Sequence, residues 1–254
     1  MLIAITREVS PAIADCELTH LEREPIDPAR AAAQHHEYEL CLQQLGCRVQ
    51  QLPMEPTLPD SVFVEDVAIV VEELAVITRP GAASRRPEVV PVARALEQHR
   101  PLGFIESPGT LDGGDVLRLG KTLFVGLTRR TNSEGIRQLA TLLAPFGYEV
   151  RAVPLADCLH LKTAVTQVAG DTLLINRTWT DDSVFTGWKL IDVDAAEPFA
   201  ANALQIGDTV IYPTGFPATR AKLEHHKINV LSVDVSELGK AEGGVTCCSL
   251  IFFV

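Results

Sequence analysis

The residues best suited to chemistry are few and lie far apart along the 254 residues. Near the C-terminus, Gly243-Gly244-Val245-Thr246-Cys247-Cys248-Ser249 sets a thiol just ahead of the apolar run Leu250–Val254. Paired glycines let another group approach the backbone closely. A thiol at the entry of a buried strand is then held rigidly yet able to face a cavity. Plain packing is the competing use of such a cysteine. Asp60, Glu65 and Asp66 surround the apolar stretch Val62-Phe63-Val64, and Asp112 and Asp115 flank Gly113-Gly114. Carboxylates are rarely buried without partners, so these clusters read either as surface acids beside edge strands or as a site for a cation. His160 stands between Leu159 and Leu161, and Arg85-Arg86 and Arg129-Arg130 offer guanidinium groups. Arginine grips a carboxylate bidentately, although each pair also serves as ordinary helix-flanking charge.

Together these groups suit a zwitterion that carries an extra cation. Carboxylates would hold a planar guanidinium, arginines an α-carboxylate, and the cysteine with the histidine would act on the guanidinium carbon. That carbon is a poor electrophile because its charge is delocalised, so fixing its plane for attack lowers the barrier by proximity. The thiolate is the nucleophile, favoured by nearby positive charge that includes the substrate itself. His160 would protonate the leaving amine and then take a proton from the water that resolves the thiouronium adduct.

To meet at one place, these residues need a fold that gathers distant segments. A net charge of −11 argues against a nucleic-acid surface. The six cysteines show no CxxC pair, so neither a zinc site nor a disulfide framework is indicated. The start Met1–Thr6 lacks the basic and longer apolar regions of a signal peptide, and no apolar run approaches membrane-spanning length. A soluble, cytoplasmic protein with reduced thiols is expected, with no metal and no membrane or nucleic-acid partner.

Met1–Thr6 reads as a short strand, followed by a long loop from Arg7 to Pro25. Loops of that length are often functional lids. Asp27-Pro28 predicts a capped helix start and Gly46 its stop, with His35 and His36 expected to be solvated on it. From Pro59 a hairpin recurs: Ser61–Val71 with Leu74–Thr78, Asp115–Leu119 with Thr122–Gly126, Lys162–Val168 with Thr172–Asn176, and Ala201–Ile206 with Thr209–Tyr212. Helix-like runs follow at Pro87–Gln98, Asn132–Leu143 and Ala218–His225, and further strands at Tyr148–Pro154 and Ile228–Val235. The spacing of roughly 40–50 residues is that of propellers and arrays. Thr246–Val254 and the first strand together predict a fifth unit that closes the ring through the chain ends. A single α/β domain over residues 1–254 is expected, built of ββαβ repeats about a centre where equivalent positions meet.

The segments PDSVFVED, ITRPGAASRR, TLDGGDV, FVGLTRRTN, LHLKT and GGVTCCS, in this order, resemble the dimethylarginine dimethylaminohydrolases of the amidinotransferase (pentein) superfamily. The resemblance runs from about Leu18 to the C-terminus. It implies a five-unit, pseudo-symmetric α/β-propeller and cofactor-free hydrolysis of Nω-methylated arginines to citrulline and methylamine or dimethylamine. It further implies Cys247 as nucleophile, His160 as general acid and base, and Asp112 as the group orienting His160. Asp66, with Glu65 nearby, would bind the guanidinium, Arg85 and Arg130 the α-carboxylate, and Asp60 the α-amino end. Leu18, in the lid, and Ala241 would contribute backbone contacts. Asp112 stands where some bacterial members have Glu, and Ala241-Glu242 where a larger apolar residue and Asp are more usual. A homodimer is a further expectation. The rival readings are an arginine deiminase, transfer of the amidino group to an acceptor amine, and a non-catalytic amino-acid-binding protein on the same scaffold.

Overall fold

The structure, a computed structural model, describes residues 1–254 and consists of five three-stranded sheets. Strand β1 (Leu2–Arg7) leads through a long loop to helix α1 (Pro28–Gln44) and to β2 (Arg48–Leu52), which pairs parallel with β1. The second unit is β3 (Ala68–Val70), β4 (Ala75–Ile77), α2 (Val89–Leu96) and β5 (Leu102–Phe104). The third is β6 (Val116–Leu119), β7 (Thr122–Leu127), α3 (Ser133–Leu143) and β8 (Glu149–Pro154). The fourth opens with the short helix α4 (Leu161–Ala164) and continues as β9 (Val165–Ala169), β10 (Thr172–Ile175) and β11 (Lys189–Asp192). The fifth is β12 (Leu204–Ile206), β13 (Thr209–Pro213), α5 (Pro217–His225) and β14 (Asn229–Val233). After α6 (Ser236–Gly239) the chain ends in β15 (Leu250–Phe253), which pairs antiparallel with β1 from Leu2↔Phe253 to Ile5↔Leu250. The chain ends therefore complete one unit, as the repeat predicts. Every sheet joins an antiparallel strand pair to a parallel third strand, and all units but the fourth have the ββαβ order read from the sequence.

Side chains alternate across a strand, and here each alternation faces a different neighbour. On β1, Ile3 and Ile5 pack toward the second unit, and Ala4 packs toward the fifth and α1. On β10, Leu173 and Ile175 face the third unit while Leu174 faces the fifth. The core is thus a ring of five apolar clusters, one at each junction between units. This is why the strands read as continuous hydrophobic runs: both faces are buried. Each fully buried Leu or Ile contributes roughly 1.5–3 kcal/mol, so every junction carries a share of the stability of the ring.

Helix α1 begins as predicted, with the Asp27 carboxylate accepting the amides of Ala29 and Arg30 and Pro28 in the first turn; Gly46, at φ +87°, follows its end. His35 differs from expectation. It is buried, 3.7 Å from the buried carboxylate of Glu39, because α1 turns that face onto β1 and the terminal segment. The first hairpin strands are shorter than their apolar runs suggest. Val64–Val67 and Gly113–Asp115 form 3-10 turns ahead of β3 and β6, and Leu161–Ala164 is helical ahead of β9. The fourth unit has a 3-10 turn at Asp182–Phe185 in place of a helix, and its third strand β11 has no counterpart in the sequence reading.

Candidate active site

The acids, the histidine and the thiol singled out for chemistry sit in the turns that precede the first strand of their units, whereas Arg85 and Arg130 follow the second strands β4 and β7. Glu65 and Asp66 lie in the turn before β3, Asp112 caps the turn before β6, His160 precedes α4, and Cys247 lies in the turn Val245–Cys248 before β15. The fifth unit contributes Asn202, just ahead of β12. These turns hydrogen-bond to one another around the ring. The Glu65 amide donates to the Cys247 carbonyl (3.1 Å), Gly114 N–H to Asp66 Oδ1 (3.0 Å), and Leu161 N–H to Asp115 Oδ1 (3.0 Å). The Asn202 amide donates to the Lys162 carbonyl (3.1 Å), and Thr246 N–H donates to Asn202 Oδ1 (3.1 Å), which closes the circle. Buried polar groups need partners, and here the partners belong to the next unit.

Gly114 shows why the Gly-Gly pair is needed. A Cβ there would lie 2.7 Å from both Asp66 Oδ1 and His160 Nδ1. Gly243 is comparable, since a Cβ would fall 2.2 Å from the Phe63 ring.

Asp60, Asp66, Arg85, Arg130, His160, Ala241 and Cys247 line one small cavity of about 20 Å³. Its other walls are Glu17, Phe63, Leu159, Glu242 and Gly243. Asp112 lies one layer back, fully buried, with Oδ2 3.1 Å from His160 Nε2. The opposite ring nitrogen, Nδ1, is 3.9 Å from Asp66 Oδ1. Burial opposes a charged imidazolium, but Asp66, Asp112 and Asp115 outweigh it and raise His160 to about 9. Asp66 feels burial in the other direction, yet His160 and Arg85 beside it bring it down to about 2. Burial first, then the negative charge of Glu65 and Asp66, pushes the Cys247 thiol up to about 12, against hydrogen bonds from Gly244 N–H and Thr246. Both shifts favour a thiol and an imidazolium in the resting site.

Arg85 is buried and heavily engaged. Nη1 donates to Asp66 Oδ2 (2.5 Å), Nη2 to Glu88 and to the carbonyls of Asp60 and Phe63, and Nε to Glu88. One N–H of Nη1 remains for a ligand. Burial raises Glu88 to about 7, with the Arg85 charge opposing the rise. Arg130 Nη2 donates to Thr19 Oγ1 (3.0 Å), and its Nη1 lies 4.0 Å from Asp112. Leu18 packs half-buried against the cluster around α1, and its carbonyl, like that of Ala241, accepts no hydrogen bond from the protein. Glu65 points elsewhere. It is bound by Lys162 Nζ (2.5 Å) and Thr246 Oγ1 (2.9 Å) and faces a separate cavity of about 510 Å³ at the other end of the ring. Asp66, Asp112 and His160 bring ligand atoms within 4.8 Å of one another, close enough for a divalent cation. These groups already have partners: His160 Nε2 pairs with Asp112 Oδ2, and Asp66 Oδ1 accepts the Gly114 amide and lies 3.9 Å from His160 Nδ1. The sequence reading gives no role to Glu88 or Lys162, and notes Glu242 only as a departure from the more usual Asp. Glu88 had a signal, since it follows Arg85 by three residues on a turn of helix.

Known proteins resemble the chain over nearly its whole length. The profile of the family described as N,N dimethylarginine dimethylhydrolase, eukaryotic, matches residues 17–254. The N(G),N(G)-dimethylarginine dimethylaminohydrolase of Pseudomonas aeruginosa is 37% identical over 228 residues, 89% of this chain and 90% of that protein. Its namesake from Streptomyces coelicolor is 37% identical over 249 residues, 97% and 95% of the two chains. The solved structure of the Pseudomonas aeruginosa enzyme, a cysteine-to-serine mutant complexed with citrulline, superposes with a TM-score of 0.93 at 35% identity over 98% of each chain.

Proposed function

The chain belongs to the dimethylarginine dimethylaminohydrolase family, and from that premise we propose that it hydrolyses Nω-methylated arginines to citrulline and dimethylamine or methylamine through a covalent adduct on Cys247. One observation carries the reading: an imidazolium held between Asp66 and Asp112 opens onto the same small cavity as a thiol.

The substrate guanidinium donates to Asp66, whose low pKa keeps it ionised. Arg130 and the remaining Nη1 hydrogen of Arg85 take the α-carboxylate. Asp60 and the unpartnered carbonyls of Leu18 and Ala241 suit the three hydrogens of the α-ammonium group. The bound cation offsets the negative charge that holds the Cys247 proton, and as substrate binds that proton passes to solvent water, because His160 is already protonated, leaving the thiolate. Sulfur attacks the guanidinium carbon. His160, already charged, gives its proton to the departing amine as the carbon–nitrogen bond breaks, leaving a thiouronium. The neutral imidazole then takes one proton from water as its oxygen attacks the same carbon; when the carbon–sulfur bond breaks, the remaining hydroxyl proton passes to the departing sulfur, which restores the Cys247 thiol and leaves citrulline. Asp112 keeps the ring in place and stabilises its charge in both steps. Glu65 acts through its neighbours, fixing the Thr246 hydroxyl and Lys162 on the far side of the thiol. The reading includes a cytoplasmic setting, in keeping with six free thiols, and assembly as a homodimer.

The test is an assay of citrulline and released amine on arginine, monomethylarginine and asymmetric dimethylarginine, with Cys247→Ser alongside. Citrulline with dimethylamine is expected, falling by about a thousandfold or more in the variant. Ammonia from arginine alone makes the protein a deiminase, and full turnover by Cys247→Ser removes the covalent mechanism.

A further inference from the structure

Between the buried Cys16 and Ile26 the lid has no buried residue. Apolar packing alone cannot hold such a segment down. Its polar anchors therefore matter, and beside single bonds from Ser84 to Glu17, Arg130 to Thr19 and Lys240 to the Pro25 carbonyl, one side chain gathers several of them. The Glu242 carboxylate accepts three successive backbone amides, from Thr19 (3.1 and 3.0 Å), His20 (2.5 Å) and Leu21 (2.7 Å). Successive N–H groups turned inward in this way make a concave anion seat, and the anion here is supplied by the protein. On the other side of Leu18, the amide of Glu17 donates to Asp60 (3.3 and 3.1 Å).

Glu242 is itself fixed from below. Its amide donates to the Gly239 carbonyl and those of Ala241 and Gly243 to Leu238, and its backbone is held at φ +57°. A left-handed conformation at a residue other than glycine is kept only where the surroundings impose it. The clasp thus stands on a rigid base directly after Ala241 and takes hold directly after Leu18. It ties together the two segments whose carbonyls lack partners.

We propose that Glu242 is a positioning residue that clasps the lid and sets the Leu18 carbonyl against the α-amino end of the substrate, so that it governs recognition of the amino-acid head group. The head-group part of this proposal rests on the function proposed above; the clasp itself does not. Glu242 also lines the cavity with Asp60 and Ala241, so its charge favours the same cationic head group that its geometry serves.

Hydrogen exchange and kinetics on Glu242→Gln and Glu242→Asp test it. In the unliganded protein the peptide covering residues 17–25 should exchange about tenfold faster in Glu242→Gln, with the remaining peptides unchanged, as expected for loss of one charge-assisted anchor. KM for methylarginine should rise about tenfold while kcat falls less, and Glu242→Asp, which keeps the charge, should recover part of both effects. A lid that exchanges as in the wild type overturns the clasp. Faster exchange with no change in KM overturns the positioning of Leu18. If wild-type protein leaves methylarginine untouched, the function proposed above fails while the exchange result still decides the clasp. A melting curve on each variant separates these outcomes from misfolding, and a Glu242→Asp protein that folds but exchanges like Glu242→Gln also counts against the proposal.

Discussion

The floor and the roof of the cavity are built on opposite physical plans. The floor is five turns from five units, each bonded to the next and each backed by an apolar junction. Its ionisable groups are buried and their charges are fixed by neighbours: an imidazolium among three carboxylates, and Asp66 between His160 and Arg85. The roof is the segment between Cys16 and Ile26, exposed or half-buried throughout and held by polar clasps at its edge. Preorganised dipoles stabilise charge that develops in a reaction without reorganising at that moment, so bond-making belongs to the floor. Substrate must enter and leave, and a segment held by a few hydrogen bonds opens at low cost. In the function proposed above, recognition of the head group falls where the two meet, at Asp60, Arg130 and Ala241.

Asp66→Asn should break the floor most severely. Asp66 and Arg85 are both buried, and removing the Asp66 charge leaves Arg85 with Glu88 alone and His160 without one of its carboxylates, at a cost on the order of 3 kcal/mol. The variant should melt roughly 6–12 °C lower and lose turnover by about a thousandfold. A variant that melts like wild type means the floor does not depend on the Asp66–Arg85 pair, and the contrast with the roof weakens.

His160→Gln probes the same region through pH. The folded-state pKa is about 9 against a reference of 6.5, so the group stabilises the fold fully below about 6.5 and loses that contribution as pH rises through 9. Wild type should exceed the variant in stability near pH 6 by an amount that shrinks, on the order of 3 kcal/mol, by about pH 10. Denaturant titrations across that range measure the gap. A gap independent of pH would mean that the imidazole is neutral in the resting protein.

The floor was also the more legible region in the sequence, for a physical reason. Its residues interrupt strands that are otherwise apolar on both faces, so Glu65-Asp66, Asp112 to Asp115 and His160 stand out where polar groups should not be. The apolar context also misled, because Val62, Val64 and Val67 extend the apparent strand through what is a 3-10 turn. The closure of β15 on β1 was legible from a strand without a hairpin at each chain end. What could not be read was pairing between segments with no local signal. Glu65 and Lys162 are 97 positions apart, and Glu65 looked like a second guanidinium ligand beside Asp66 until that partner was known. His35 was read as solvated because nothing near it in the sequence shows that α1 buries that face. β11 escaped for lack of alternation in Lys189–Asp192. Glu242 was visible only as a departure from the usual residue, since its partners are backbone amides, which every sequence contains.

The smallest effect expected is the one that says most about the roof. Thr19→Ala removes the hydroxyl that accepts from Arg130 Nη2 but keeps the Thr19 amide on Glu242. The residue is only half-buried, so stability should stay within about 0.5 kcal/mol of wild type. The lost hydrogen bond to a charged group should raise KM for methylarginine about three- to tenfold. Combining it with Glu242→Gln then asks how the roof closes. If the two clasps act independently, their effects on KM multiply. If the segment closes as one unit, opening it at Glu242 already breaks the Arg130 contact, and Thr19→Ala adds little to the double variant. The second result would make the lid a single element that Asp60, Arg130 and Glu242 hold together. The groups that read the two ends of the amino acid would then also be the groups that shut the site over it.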